Sequence, residues 1–138
     1  MIQFSFPVVS HGKRNAKVTV RVFDDREAML RSLRRYHAKM GREYEDGWYA
    51  NTAAATSPYA RLRVPRGQWR HEVTIRLVIG NCGVEVVSHE ACHAALYIYR
   101  EQVQQTIPDM EREEIFCHLV SEIVEAVIEE LDEAGCYG

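Results

Sequence analysis

Val86-Val87-Ser88-His89-Glu90-Ala91-Cys92-His93-Ala94-Ala95-Leu96 contains the pattern H-E-x-x-H as His89, Glu90 and His93. Residues four apart lie on one face of a helix, so both imidazoles can reach one ion. Zinc takes neutral imidazole nitrogens and keeps an open position for water at catalytic sites. The intervening glutamate then stands ready to accept a proton from that water. With six histidines in 138 residues, shuffling of this composition yields the pattern about 0.03 times per chain. The competing account is two core histidines satisfied by carbonyls, with Glu90 at the surface.

Around the motif, Val84, Val87, Ala91, Ala94 and Ile98 repeat at helical spacing, and the two histidines point roughly 150° away from that stripe. Val86, Cys92, Ala95, Leu96 and Tyr97 fill most of the remaining circumference. That pattern predicts a helix buried nearly all round, where ionisable groups are costly unless paired or metal-bound.

Upstream, Val73, Ile75, Leu77 and Ile79 alternate with Glu72, Thr74, Arg76 and Val78, which predicts a strand with one buried face. This strand is also the expected edge against which an extended peptide could pair. Gly80-Asn81-Cys82-Gly83 turns it into the motif helix, with Asn81 as the expected cap. Further back, Ile2, Phe4 and Phe6 alternate, as do Val18, Val20 and Val22, predicting a hairpin through residues 11–15. Asp24 followed by Glu27 resembles a capping box. Met29, Leu30, Leu33, Tyr36 and Met40 continue at helical spacing, and Gly41 ends that helix. Its Arg26, Arg31, Arg34, Arg35 and Lys39 form a basic face, read as solvated rather than as an anion site. Residues 42–59 read as a loop with a short strand near 48–53, where Trp48 and Tyr49 cap the core or border a cleft. Residues 62–64 read as another short strand.

Downstream, a last helix spans residues 109–134, with Phe116, Leu119, Val120, Ile123, Val127 and Leu131 as its stripe and Gly135 as its stop. The expected architecture is α+β: one domain with a small, mostly antiparallel sheet packed with a helix, a buried H-E-x-x-H helix and a long C-terminal helix.

Composition sets the outer bounds. A net charge of −3 with 27% charged residues does not indicate a nucleic-acid partner. No apolar run approaches a membrane span, and no leader pattern precedes the first strand, which makes the cytoplasm the default expectation. Cys82, Cys92, Cys117 and Cys136 show no C-x-x-C spacing. They read as free thiols, with Cys92 and Cys117 as small core residues.

Two histidines make an incomplete zinc site, since catalytic zinc normally has three protein ligands. Glu111-Arg112-Glu113-Glu114-Ile115-Phe116-Cys117-His118 supplies several carboxylates at a helix start. H-E-x-x-H followed some twenty residues later by E-x-x-small resembles the gluzincin branch of the zincin metallopeptidases. The closer likeness is to short zincin-like proteins of phages and prophages, whose motif continues as E-x-x-A-Y. Here the matching segment is Glu114-Ile115-Phe116-Cys117-His118, with His118 where tyrosine is usual. The likeness covers roughly residues 73–125.

That resemblance implies zinc held by His89, His93 and Glu114, with Glu90 as general base in peptide hydrolysis. The helical wheel instead puts Glu113 beside the apolar arc of Phe116 and Val120, so both acids stand as candidates. His118 is the first candidate for steadying an oxyanion, followed by His71, Tyr97 and Tyr99. A peptide or protein substrate is the partner this chemistry requires, and the host cytoplasm its location if the chain is phage-encoded. The alternative is an interaction protein on the same fold that binds a partner without needing catalysis.

Overall fold

The computed structural model describes residues 1–8, 16–49, 52–60, 71–102 and 110–138. Four strands form one mixed sheet: β1 (Ile2–Pro7), β2 (Ala16–Phe23), β3 (Ala54–Ala60) and β4 (His71–Val78), in spatial order β1-β2-β4-β3. Three helices accompany it: α1 (Arg26–Lys39), α2 (Val84–Gln102) and α3 (Met110–Glu133). The α+β class expected from the sequence is what the structure shows.

β1 and β2 pair antiparallel with Phe4 opposite Val20, as the alternation predicted. β2 and β4 pair parallel with Val20 opposite Ile75. Parallel neighbours need a long crossover, and here α1 and β3 lie between them in the chain. β3 then pairs antiparallel with β4, Thr56 opposite Ile75. β4 is therefore central, with both its edges occupied, and the edge position belongs to β3. This corrects the expectation that residues 73–79 offer an edge to a peptide.

The pleat sends alternate residues to opposite faces. Val18, Val20, Val22, Val73, Ile75 and Leu77 share one buried face. They form one apolar cluster with Val87, Ala91, Ala94 and Ile98 of α2 and with Leu119, Ile123, Val127 and Leu131 of α3. The alanines of α2 allow a close approach to the sheet. The α3 residues are four apart and make one continuous stripe, each contributing about 1.5–3 kcal/mol on burial. α3 lies along the flank of α2 that carries Tyr99, whose ring meets Phe116 edge-on at 6.2 Å. On the opposite sheet face, Met29, Leu30 and Leu33 of α1 pack with Phe23 and Ala55 in a second, smaller cluster.

Helix ends follow local chemistry, with two corrections. The cap of α1 is Asp25, not Asp24; its carboxylate accepts from Ala28 N at 2.8 Å. Asn81 does not cap α2. The first turn of that helix closes on Gly83, whose carbonyl accepts from Val87 N at 3.0 Å, while Asn81 Nδ2 donates to Ala53 O at 3.5 Å. Gly41 and Gly135 do end their helices, at φ +66° and +73°, a region that glycine enters without steric cost. Beyond α3, Gly138 exchanges two backbone hydrogen bonds with Cys82, at 3.0 and 3.2 Å, which ties the last residue to the start of α2.

The stretch read as a loop holds a 3-10 turn at Asp46–Tyr49 and then β3. The strand expected at residues 62–64 and the turn at 11–15 lie outside the described residues. Cys92 and Cys117 are exposed rather than core residues, and the buried thiol is Cys82. Among the described residues, no helix is long and apolar enough to cross a membrane.

Candidate metal centre

α2 is buried along one side only. Val87, Ala91, Ala94, Ala95, Ile98 and Tyr99 are inside, whereas Glu85, His89, Cys92 and His93 are exposed. The expectation of a helix covered all round is corrected: His89, Cys92 and His93 are exposed, and the edge strand β3 borders the hollows beside the two histidines. His89 Nε2 and His93 Nε2 lie 3.2 Å apart, their rings steeply inclined at 73°. Two nitrogens bound to one tetrahedral zinc at ordinary lengths are separated by about 3.3 Å. The pair thus has the spacing a shared cation requires. Without one, one ring N–H donates to the other ring's lone pair.

Glu90 turns the other way. It is 5% exposed, and its Oε2 accepts from Thr56 Oγ1 at 2.5 Å. Thr56 is on the α2 side of β3 because its partner Ile75 is on that side of β4. The edge strand thereby holds the carboxylate of the motif in one orientation beside the imidazole pair. Two adjoining hollows of about 250 and 420 Å³ run along β3 and share Thr52, Ala54, His89 and Glu90. Tyr97, one turn beyond His93, borders the smaller one with Tyr49.

The flank carrying Tyr49 is anchored from α1. Arg26 Nε donates to Thr52 O at 2.9 Å, and its Nη2 donates to Tyr49 O. His37 Nδ1 meets Glu43 O at 2.8 Å, so this nitrogen carries the proton. His37 Nε2 then accepts from the Tyr49 hydroxyl at 2.9 Å. Burial pushes the Tyr49 phenol above its usual range, which keeps it a neutral donor. Arg26, read from the sequence as part of a solvated basic face, is therefore structural.

The remaining nominated residues are placed elsewhere. Glu114 and His118 are both 71% exposed and pair with each other, Glu114 Oε2 to His118 Nε2 at 3.6 Å. They sit on the face of α3 opposite its buried stripe, so the structure does not bring Glu114 to the histidines. Glu113 is also exposed, but it lies one turn before Phe116, on the side of α3 that meets Tyr99 of α2. Tyr99 is fully buried, and His71 is buried at the head of β4. Of the four oxyanion candidates, only Tyr97 borders the cleft. The side chain of Glu111 lies outside the described residues.

The donor chemistry fits zinc in part. Two imidazoles converge with a buried carboxylate beside them, but among the described residues no three His, Cys, Asp or Glu side chains form a group able to hold a metal. Thr56 was not nominated from the sequence, and Tyr49 was read only as a residue that caps the core or borders a cleft; the structure puts it at the cleft. A threonine in an unrecognised strand carries no spacing signal that would have found it.

No family model, no curated protein and no solved structure matches this chain, so the residues and their geometry carry the functional reading.

Proposed function

We propose that the chain is a zinc-dependent hydrolase of peptide bonds, with His89 and His93 holding the ion and Glu90 as general base. The observation that carries this reading is the 3.2 Å separation of the two Nε2 atoms on one exposed helix face. Zinc bound there would supply Lewis acidity, lowering the pKa of a water and polarising a carbonyl. Glu90 takes the proton of the attacking water and returns it to the leaving amine. Thr56 engages Oε2 and so leaves Oε1 to do this work. An extended substrate adds to the open edge of β3, where main-chain hydrogen bonds align its carbonyl with the cleft. Tyr97 stands nearest to serve as the oxyanion donor. The described side chains bring no third ligand to the pair; an acid from the start of α3 would have to supply it, and Glu113 rather than Glu114 is on the side of that helix that meets α2.

A second reading is an interaction protein that does not need catalysis. It is supported by the open groove that His118, Ser121, Glu122, Glu125 and Glu129 form along the outer face of α3. Zinc content and hydrolysis of a peptide library by the full chain and by Glu90→Gln separate the two. The hydrolase reading expects one zinc per chain in both proteins, with hydrolysis lowered about 10²–10⁴-fold in the variant. Equal activity, or none in either protein despite bound zinc, rejects it.

A further inference from the structure

The sheet face turned away from α2 holds a second constellation. By register, Arg21 of β2, Arg76 of β4 and Ala55 of β3 lie abreast, with Thr19 and Thr74 abreast two residues along. α1 covers only one end of this face with apolar side chains. Beyond that end, Arg21, Ser32, Arg35, Tyr36, Ser57 and Arg76 border a cavity of about 240 Å³.

Arg76 is the most buried charged side chain lining this cavity. It is 3% exposed, although the alternation of β4 had placed it on a solvent face. Its Nε donates to Ser32 Oγ and its Nη1 to Ser57 Oγ, both at 2.9 Å. The guanidinium also stands over the Tyr36 ring, 5.4 Å from its centroid. All these partners are neutral. Burial, followed by the charge of Arg21, pushes the guanidinium down to about 10, so it remains charged at neutral pH. Arg35 is a further like charge acting on it. Arg21 Nε is itself buried with no hydrogen-bond partner among the described residues. Glu72, the one carboxylate bordering the cavity among the described residues, is engaged by Lys17 at 3.3 Å.

A buried cation beside other cations is costly unless an anion compensates, and an apolar side chain would serve a purely structural role better. The hydroxyls of Ser32 and Ser57 accept from Arg76, which leaves their own protons to donate. Three guanidiniums and these hydroxyls make a donor-rich lining with few acceptors, suited to an anion with several oxygens.

We propose that this cavity binds a phosphate-type oxyanion, presented as inorganic phosphate or as the phosphomonoester of a small molecule, with Arg76 as anchor and Arg21 and Arg35 at its rim. The site is separate from the His89–His93 pair, lies across the sheet from it, and does not depend on the hydrolase reading.

The test is calorimetric titration of the full chain with inorganic phosphate and, separately, with 2-glycerophosphate, against chloride at matched ionic strength. A His89→Ala background removes any contribution from phosphate on a metal. Saturable one-to-one binding is expected, weakened tenfold or more by Arg21→Gln or Arg35→Gln and abolished by Arg76→Met. If Arg76→Met does not fold, the two rim variants carry the test. Preference between the two titrants identifies whether the free or the esterified anion is the ligand. Heats no different from chloride, or binding that neither rim variant weakens, overturns the proposal.

Discussion

Thr56 Oγ1 donates to Glu90 Oε2 at 2.5 Å, and this single contact joins the edge of the sheet to the carboxylate of the motif. Glu90 is buried, so its carboxylate cannot fall back on bulk water for that bond. Thr56→Val keeps the shape and removes the donor. It is expected to cost about 1–3 kcal/mol of stability, the penalty for a buried acceptor left unmade. Hydrolysis should fall in kcat, with zinc affinity nearly unchanged because neither imidazole is touched. Urea unfolding, steady-state kinetics and zinc titration of the one variant check all three.

Tyr97 and His118 make opposite predictions. Tyr97 borders the cleft, whereas His118 is on the outer face of α3 and paired with Glu114. Tyr97→Phe should lower kcat by about 10²-fold, the effect of losing one oxyanion donor, with KM little changed. His118→Ala should leave both constants near those of the parent chain.

The acids at the start of α3 are separable in the same way. Glu113→Gln should weaken zinc binding by roughly tenfold or more, a loss that even partners outside the coordination shell can cause. Glu114→Gln should have little effect, since its carboxylate is exposed on the face of α3 turned away from α2, 3.6 Å from His118. The reverse order would restore the register implied by the gluzincin resemblance. No effect from either would place the third ligand outside this helix.

The cysteines test burial around the motif helix directly. Cys92 and Cys117 are exposed, whereas Cys82 is buried and its thiol is raised by desolvation. Alkylation of the native protein at mildly alkaline pH should modify Cys92 and Cys117 quickly and Cys82 only on unfolding, because the thiolate is the reacting species. Timed quenching and peptide mass analysis read this out.

The elements that sequence periodicity located are those with one apolar face against a core: Ile2-Phe4-Phe6, Val18-Val20-Val22, Val73-Ile75-Leu77 and the stripes of α2 and α3 against the larger cluster, and the stripe of α1 against the smaller one. β3 escaped because Ala54-Ala55-Thr56-Ser57-Pro58-Tyr59-Ala60 has no apolar alternation. One of its faces lies close under α2, where small side chains fit, and the other meets hydroxyl and guanidinium groups. Pro58 within it is tolerated because β3 is an edge, and its carbonyl accepts from Tyr36 Oη at 2.5 Å. The histidine pair and its glutamate were legible because four-residue spacing fixes a helical face regardless of surroundings. That Glu114 faces away from them was not, since that depends on how two helices are rotated against each other. Arg76 was misread for a related reason: period-two alternation assigns it to a polar face but cannot show that α1 and β3 enclose that face.

The central claim is that His89 and His93 share one ion. Zinc K-edge X-ray absorption on the zinc-loaded chain measures this most directly. Two imidazole nitrogens are expected at about 2.0–2.1 Å from the metal, with one of them lost from the spectrum in His93→Ala. A spectrum with no imidazole scattering, or one unchanged by that substitution, would contradict it.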